Sequence, residues 1–188
     1  MARVSINDAY IRGSASGLRW TVGTKAVSLT FVANDSRCEL VAFRNQLDGS
    51  NCEYISRRTA FPPCVVDAAE LRSWTFNGAA AEKVVYSGQP VARLTLQFIA
   101  PGLLIRYIVV AFPGTAVLRQ WLELENTGDT PVSAGATPLA LILCDDPAAP
   151  FMHYWMVGGN SGPDMGQLHQ ETVTGDYDQV IAGQATCA

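Results

Sequence analysis

The chain has 188 residues, 48% of them hydrophobic and only 16% charged, and carries a net charge of −4. That length suits one undivided domain with a substantial core, since a chain of this size hides about two-thirds of its unfolded surface. Lys25 and Lys83 are the only lysines and no basic run occurs, which excludes nucleic acid as a partner; no apolar run approaches the roughly 18 residues a membrane helix needs, which excludes a helical span.

Hydrophobic residues recur with a period of two along most of the chain, the spacing of strands rather than helices. Strands are expected over Val4–Ile11, Leu18–Val22, Val27–Val32, Glu39–Arg44, Leu71–Phe76, Lys83–Tyr86, Val91–Ile99, Leu103–Phe112, Val117–Glu125 and Pro138–Leu143. Turn formers separate them: Asn34-Asp35-Ser36, Asp48-Gly49, Asn77-Gly78, Ser87-Gly88, Pro101-Gly102, Pro113-Gly114 and Asn126-Thr127-Gly128-Asp129. Ala68–Arg72 reads as a short helical turn. In Val91–Ile99, Ala92, Leu94, Leu96 and Phe98 share one face while Arg93, Thr95 and Gln97 share the other. In Val117–Glu125, Leu118, Leu122 and Leu124 oppose Arg119, Trp121, Glu123 and Glu125. Many short strands with near-regular turns predict an all-β fold, a large antiparallel β-sandwich with little helix.

The chain changes character after the sandwich, expected over residues 1–150. Asp145-Asp146-Pro147-Ala148-Ala149-Pro150 reads as a loop, and residues 151–188 as an aromatic and Gly-rich C-terminal segment. That segment holds Phe151-Met152-His153-Tyr154-Trp155-Met156-Val157 followed by Gly158-Gly159. It either completes the sandwich or leads into a further domain.

The low charged share, against a usual figure of about 25%, has two readings that composition leaves open. Either the core is large, or part of the surface is covered by another domain or subunit. Cys38, Cys52, Cys64, Cys144 and Cys187 are odd in number and widely spaced, with no C-x-x-C pair or zinc spacing. No metal or cofactor is expected; a reducing, cytoplasmic setting is favoured over a secreted one, with one or two disulfides left as the alternative.

The run Leu103-Leu104-Ile105-Arg106-Tyr107, then Phe112-Pro113-Gly114, then Ala116-Val117-Leu118-Arg119-Gln120-Trp121-Leu122-Glu123-Leu124-Glu125-Asn126-Thr127-Gly128-Asp129-Thr130-Pro131-Val132 resembles the N-terminal supersandwich of clan-D glycoside hydrolases, the α-galactosidase group. Trp20, the Asn45 to Gly49 turn and Trp155 before Gly158-Gly159 add to the resemblance. It implies a galactose-mutarotase-like supersandwich that packs on a catalytic (β/α)₈ barrel in the same polypeptide. It further implies that the sandwich helps homo-oligomers form and lends a rim to a carbohydrate site. The family's catalytic carboxylates lie on the barrel, so no catalytic residue carries over to this chain.

The residues themselves offer few catalytic arrangements. Asp145 and Asp146 are adjacent, and neighbours on an extended strand point to opposite sides, whereas retaining glycoside hydrolysis needs two carboxyls about 5 Å apart. Gly13-Ser14-Ala15-Ser16-Gly17 has the glycines of a nucleophile elbow but Ala15 at its centre, so it reads as a hairpin loop. His169 and Glu171 are the nearest thing to an acid–base pair for a mutarotase-like enzyme. His153, His169, Asp164 and Asp176 form no metal motif. Sugar recognition uses aromatic faces flanked by polar groups. Trp121, outward with Arg119, is one candidate for a sugar or an interface; Tyr154 and Trp155, with His153, are the other. Three readings follow: an accessory domain of a glycoside hydrolase, a free-standing carbohydrate-binding module, and a mutarotase-like enzyme.

Overall fold

The computed structural model describes residues 3–34, 37–47, 52–53, 59–60, 65–66, 69–70, 74–133, 151–156 and 168–173. All regular structure among them is β. Two units are distinct, Met1–Cys144 and Asp145–Ala188.

The first unit opens with a meander. Strands β1 (Arg3–Ile6), β2 (Ala9–Gly13), β3 (Arg19–Gly23), β4 (Val27–Asn34) and β5 (Arg37–Asn45) pair antiparallel in chain order. The short β6 (Cys52–Glu53) and β7 (Thr59–Ala60) both pair with the far side of β5. A two-residue ladder joins β8 (Val65–Val66) to β9 (Ala69–Glu70). The second sheet is a four-stranded meander of β10 (Thr75–Tyr86), β11 (Gln89–Ala100), β12 (Leu103–Ala111) and β13 (Leu118–Asn126).

Alternation explains how the two sheets close on each other. From the first sheet Ile11, Trp20, Val22, Leu29, Phe31, Cys38 and Leu40 are buried. From the second, Leu94, Leu96, Phe98, Ile105, Tyr107 and Val109 join the same cluster, with Leu118, Leu122 and Leu124 packed against it. Among the described residues two ring contacts span the sheets: Trp20 against Phe76 at 5.4 Å and Phe31 edge-on to Tyr107 at 5.8 Å. Such edge-on pairs put the positive rim of one ring on the negative face of another. This is an all-β sandwich of two antiparallel sheets.

Four details differ from the periodicity. Val4–Ile11 is a hairpin rather than one strand, because Asn7 enters the left-handed region at φ 52 and, with Asp8, turns the chain. Asn77-Gly78 is a bulge inside one twelve-residue strand rather than a turn between two. Register shifts between Phe76 and Gly78, and Gly78 takes a φ of 119 that L side chains resist. Ala69–Glu70, expected within a helical turn, is extended and paired. Thr95, on the face of β11 that also carries Arg93 and Gln97, is buried.

Gly23 shows why a small residue ends β3. It pairs with Ser28 across a tight connection, and a Cβ there would strike the Val27 carbonyl and lie 2.7 Å from the Ser28 Cβ. At this end of the sandwich the sheets are tied together. The Gly114 N–H donates to Asp8 Oδ1 at 2.6 Å, and the Thr24 hydroxyl donates to the Thr115 carbonyl at 2.7 Å. The first bond, with a lesser contribution from Lys25, holds the Asp8 carboxyl below its usual range.

The second unit contains a hairpin of β14 (Phe151–Met156) and β15 (Leu168–Val173). Expectations for Pro138–Leu143, the Asp48-Gly49 turn, Asp145-Asp146 and Gly158-Gly159 lie outside the described residues.

Candidate functional site

The outward face of the second sheet collects the most distinctive side chains. Antiparallel register sets Ile108 opposite Trp121, Val110 opposite Arg119 and Arg106 opposite Glu123. On the other side of β12, Thr95 lies opposite Ile108 and Arg93 opposite Val110. Opposed residues on an antiparallel pair share a face, so Trp121 and Arg119 stand among Ile108, Val110, Thr95 and Arg93.

Beneath them is a second apolar layer. Val91, Ile108 and Val110 are buried although they point away from the main core, and Val84, Tyr86, Phe112 and Trp121 pack against them. Trp121 is half-buried and packs against the cluster of Val91, Ile108 and Val110. Its Nε1 donates to Glu123 Oε1 at 3.1 Å, which fixes the ring along the strand.

Arg119 is exposed and bridges the aromatic groups. Its guanidinium carbon lies 5.0 Å from the Tyr86 ring centre and 5.7 Å from that of Trp121, and it donates to the Tyr86 hydroxyl. Tyr86 in turn meets Phe112 edge-on at 5.7 Å. A cation held over ring faces in this way restrains both partners. Tyr86 reaches the group because Ser87 and Gly88, both at positive φ, make the tight turn that ends β10 beside it.

The carboxylates of this face are engaged by neighbours. Glu82 bonds Arg93 at 2.6 Å and Glu125 bonds Arg106 at 2.6 Å, while Glu123 accepts from the indole. The arrangement is one of fixed charges beside a partly exposed aromatic surface.

The expected sites are therefore resolved differently. Trp121 and Arg119 come together, and alternation alone put them on one face. Tyr86, Phe112 and the Ile108/Val110 floor complete the group, and sequence reasoning missed them because they belong to other strands. The only sequence signal was the Ser87-Gly88 turn, which places Tyr86 at a strand end. His153, Tyr154 and Trp155 lie on β14; register sets them opposite Glu171, Gln170 and His169 of β15. The backbone thus places His153 and Glu171 directly across from each other, although they are far apart in sequence. Among the described residues no group of three or more His, Cys, Asp or Glu is placed to hold a metal ion.

Inside the sandwich, Cys38 and Tyr107 are the ionisable groups that burial disturbs most. Loss of water raises the Cys38 thiol to about 12, despite the opposing Glu39 N–H, and raises the Tyr107 phenol as well. The Tyr107 hydroxyl donates to Gln120 Oε1. Both groups are parts of the core.

Comparison with protein-family models, with curated proteins and with solved structures finds no match to this chain.

Proposed function

We propose that this chain is a non-catalytic accessory domain of a larger carbohydrate-active protein, and that the outward face of its second sheet takes part in sugar recognition. The observation that carries the reading is the partly exposed indole of Trp121, fixed by Glu123 and flanked by Arg119 over an apolar floor. A pyranose presents an apolar CH face that stacks on such a ring, while its hydroxyls need fixed donors and acceptors around the rim. Arg119, Glu123 and Arg106 supply both kinds. The resemblance of Leu103–Val132 to the sandwich of α-galactosidases supports the same reading, because β12 and β13 are the strands that build this face. Hydrolysis in such a protein would be the work of a catalytic domain in the same polypeptide.

Isothermal titration of the full chain with a panel of neutral α- and β-linked oligosaccharides tests the proposal. Binding is expected, weakened about tenfold or more by Trp121→Ala, as for a buried aromatic anchor. Failure of every sugar to bind, or binding indifferent to Trp121→Ala, would remove the reading.

A further inference from the structure

Charge is unevenly matched on the outward face of the second sheet. Arg93, Arg106 and Arg119 all stand on it. The first two are paired with carboxylates. Arg93 donates from Nε and Nη2 to Glu82 Oε2 at 3.2 and 2.6 Å, and Arg106 donates to Glu125 Oε2 at 2.6 Å. Arg119 differs. Among the described residues it meets no carboxylate, and its Nη1 donates instead to the neutral Tyr86 hydroxyl.

Backbone geometry keeps the other charges of this face away from it. Glu82, Arg93, Val110 and Arg119 form one row across β10 to β13, so Glu82 lies three strands from Arg119, about 14 Å. Glu123 lies four residues along β13, about 13 Å, and Glu125 further still. Both spacings exceed the screening length of about 8 Å at physiological salt, and Glu82 and Glu123 already hold Arg93 and the Trp121 indole.

The guanidinium of Arg119 is nevertheless fixed. Its carbon lies 5.0 Å from the Tyr86 ring centre and 5.7 Å from that of Trp121. An arginine held between two rings has given up side-chain freedom before any ligand arrives. Among the described residues Nε and Nη2 have no acceptor, and together they make the planar fork that fits the two oxygens of a carboxylate. Arg119 is exposed and Trp121 beside it is partly so, so one ligand can reach both.

We infer that the ligand of this face carries a carboxylate, as an acidic saccharide of uronic acid units does, and that Arg119 selects it. The inference rests on the sugar-binding reading above and adds the substrate class to it. One sugar ring stacks on Trp121 while its carboxylate takes the fork of Arg119; the 5.7 Å between guanidinium carbon and indole centre is close to the width of one sugar ring.

Titration calorimetry of the full chain with oligogalacturonate and oligoglucuronate, each against its neutral methyl ester, is the test, with circular dichroism to verify the fold of each variant. At least one free acid is expected to bind about tenfold or more tighter than its ester, the gain for hydrogen bonds to a charged group, and the preference is expected to shrink as salt rises. Arg119→Gln should bring the acid-to-ester ratio to about one, and Arg119→Lys, which keeps the charge without the fork, to an intermediate value. Acid and ester binding equally, or a preference that survives Arg119→Gln, would overturn the inference while leaving sugar binding in place. A sulfated galactan oligosaccharide bound more tightly than either uronate would overturn the carboxylate assignment. Failure of acids and esters alike would also overturn the inference; the sugar-binding reading falls separately, on the neutral panel and Trp121→Ala.

Discussion

Phe98 and Ile99 are sequence neighbours on β11, yet the sandwich assigns them opposite fates, and replacing each by alanine measures that assignment. Phe98 has no exposed surface and meets Trp74 edge-on at 4.9 Å and Phe76 at 5.7 Å. Truncating a buried phenylalanine removes its transfer free energy and leaves a cavity, together costing about 3–5 kcal/mol. Both ring contacts vanish as well, which argues for the upper part of that range. Ile99 is 47% exposed on the outward face. Full burial of such a side chain is worth about 1.5–3 kcal/mol, so half of it leaves about 1 kcal/mol to lose. Urea unfolding of the two variants should therefore separate their midpoints widely at an unchanged slope. Equal losses, or a larger loss at Ile99, would refute the assignment of faces and with it the placement of Trp121 and Arg119.

Gly23→Ala should destabilise the chain by about 1–3 kcal/mol, the range for forcing atoms into a packed site, because the new methyl meets the Val27 carbonyl and the Ser28 Cβ; denaturant unfolding reads it. The Asp8 carboxyl is held below its unfolded value of 3.8, so its contribution is present above that pH and is lost as pH falls through the folded value. Asp8→Asn should then cost about 1 kcal/mol near neutrality, shrinking in acid, as a stability difference plotted against pH would reveal. Cys38 should resist thiol reagents in the folded chain at mildly alkaline pH and react once the chain is unfolded, as mass mapping of the modified peptide would show. With its thiol raised from 9.0 to about 12, its contribution to stability is complete below pH 9 and is lost as pH rises towards 12.

Alternation in β11 and β13 revealed much of the fold. Ala92, Leu94, Leu96 and Phe98 are all buried, and Leu118, Leu122 and Leu124 pack on the core as their spacing requires. That success is physical: a strand between two environments must alternate. The misreadings share a cause too. Asn77-Gly78 and Asn7-Asp8 both have turn chemistry, but only neighbouring strands decide whether a left-handed residue ends a strand or merely bulges it. Asn7 ended one and Gly78 did not. Thr95 shares its face with Arg93 and Gln97 yet is buried, and its own strand gives no sign of the outward apolar layer that Val91, Ile108 and Val110 make across two strands. For the same reason Trp121 and Arg119 were legible as a pair, whereas the contact of Arg119 with Tyr86 was not. It joins β10 to β13, the two outermost strands of the sheet, and no local period records it. The facing of His153 and Glu171 is likewise a product of hairpin register.

The central claim is that the outward face of the second sheet recognises carbohydrate, and backbone amide shift mapping of the isotopically labelled chain tests it most directly. During titration with a bound oligosaccharide, perturbations should concentrate on Arg106, Ile108, Arg119, Trp121 and Glu123, with the Trp121 indole N–H among the largest. Perturbations confined to the opposite sheet or to the β14–β15 hairpin, or none under saturating sugar, would contradict it.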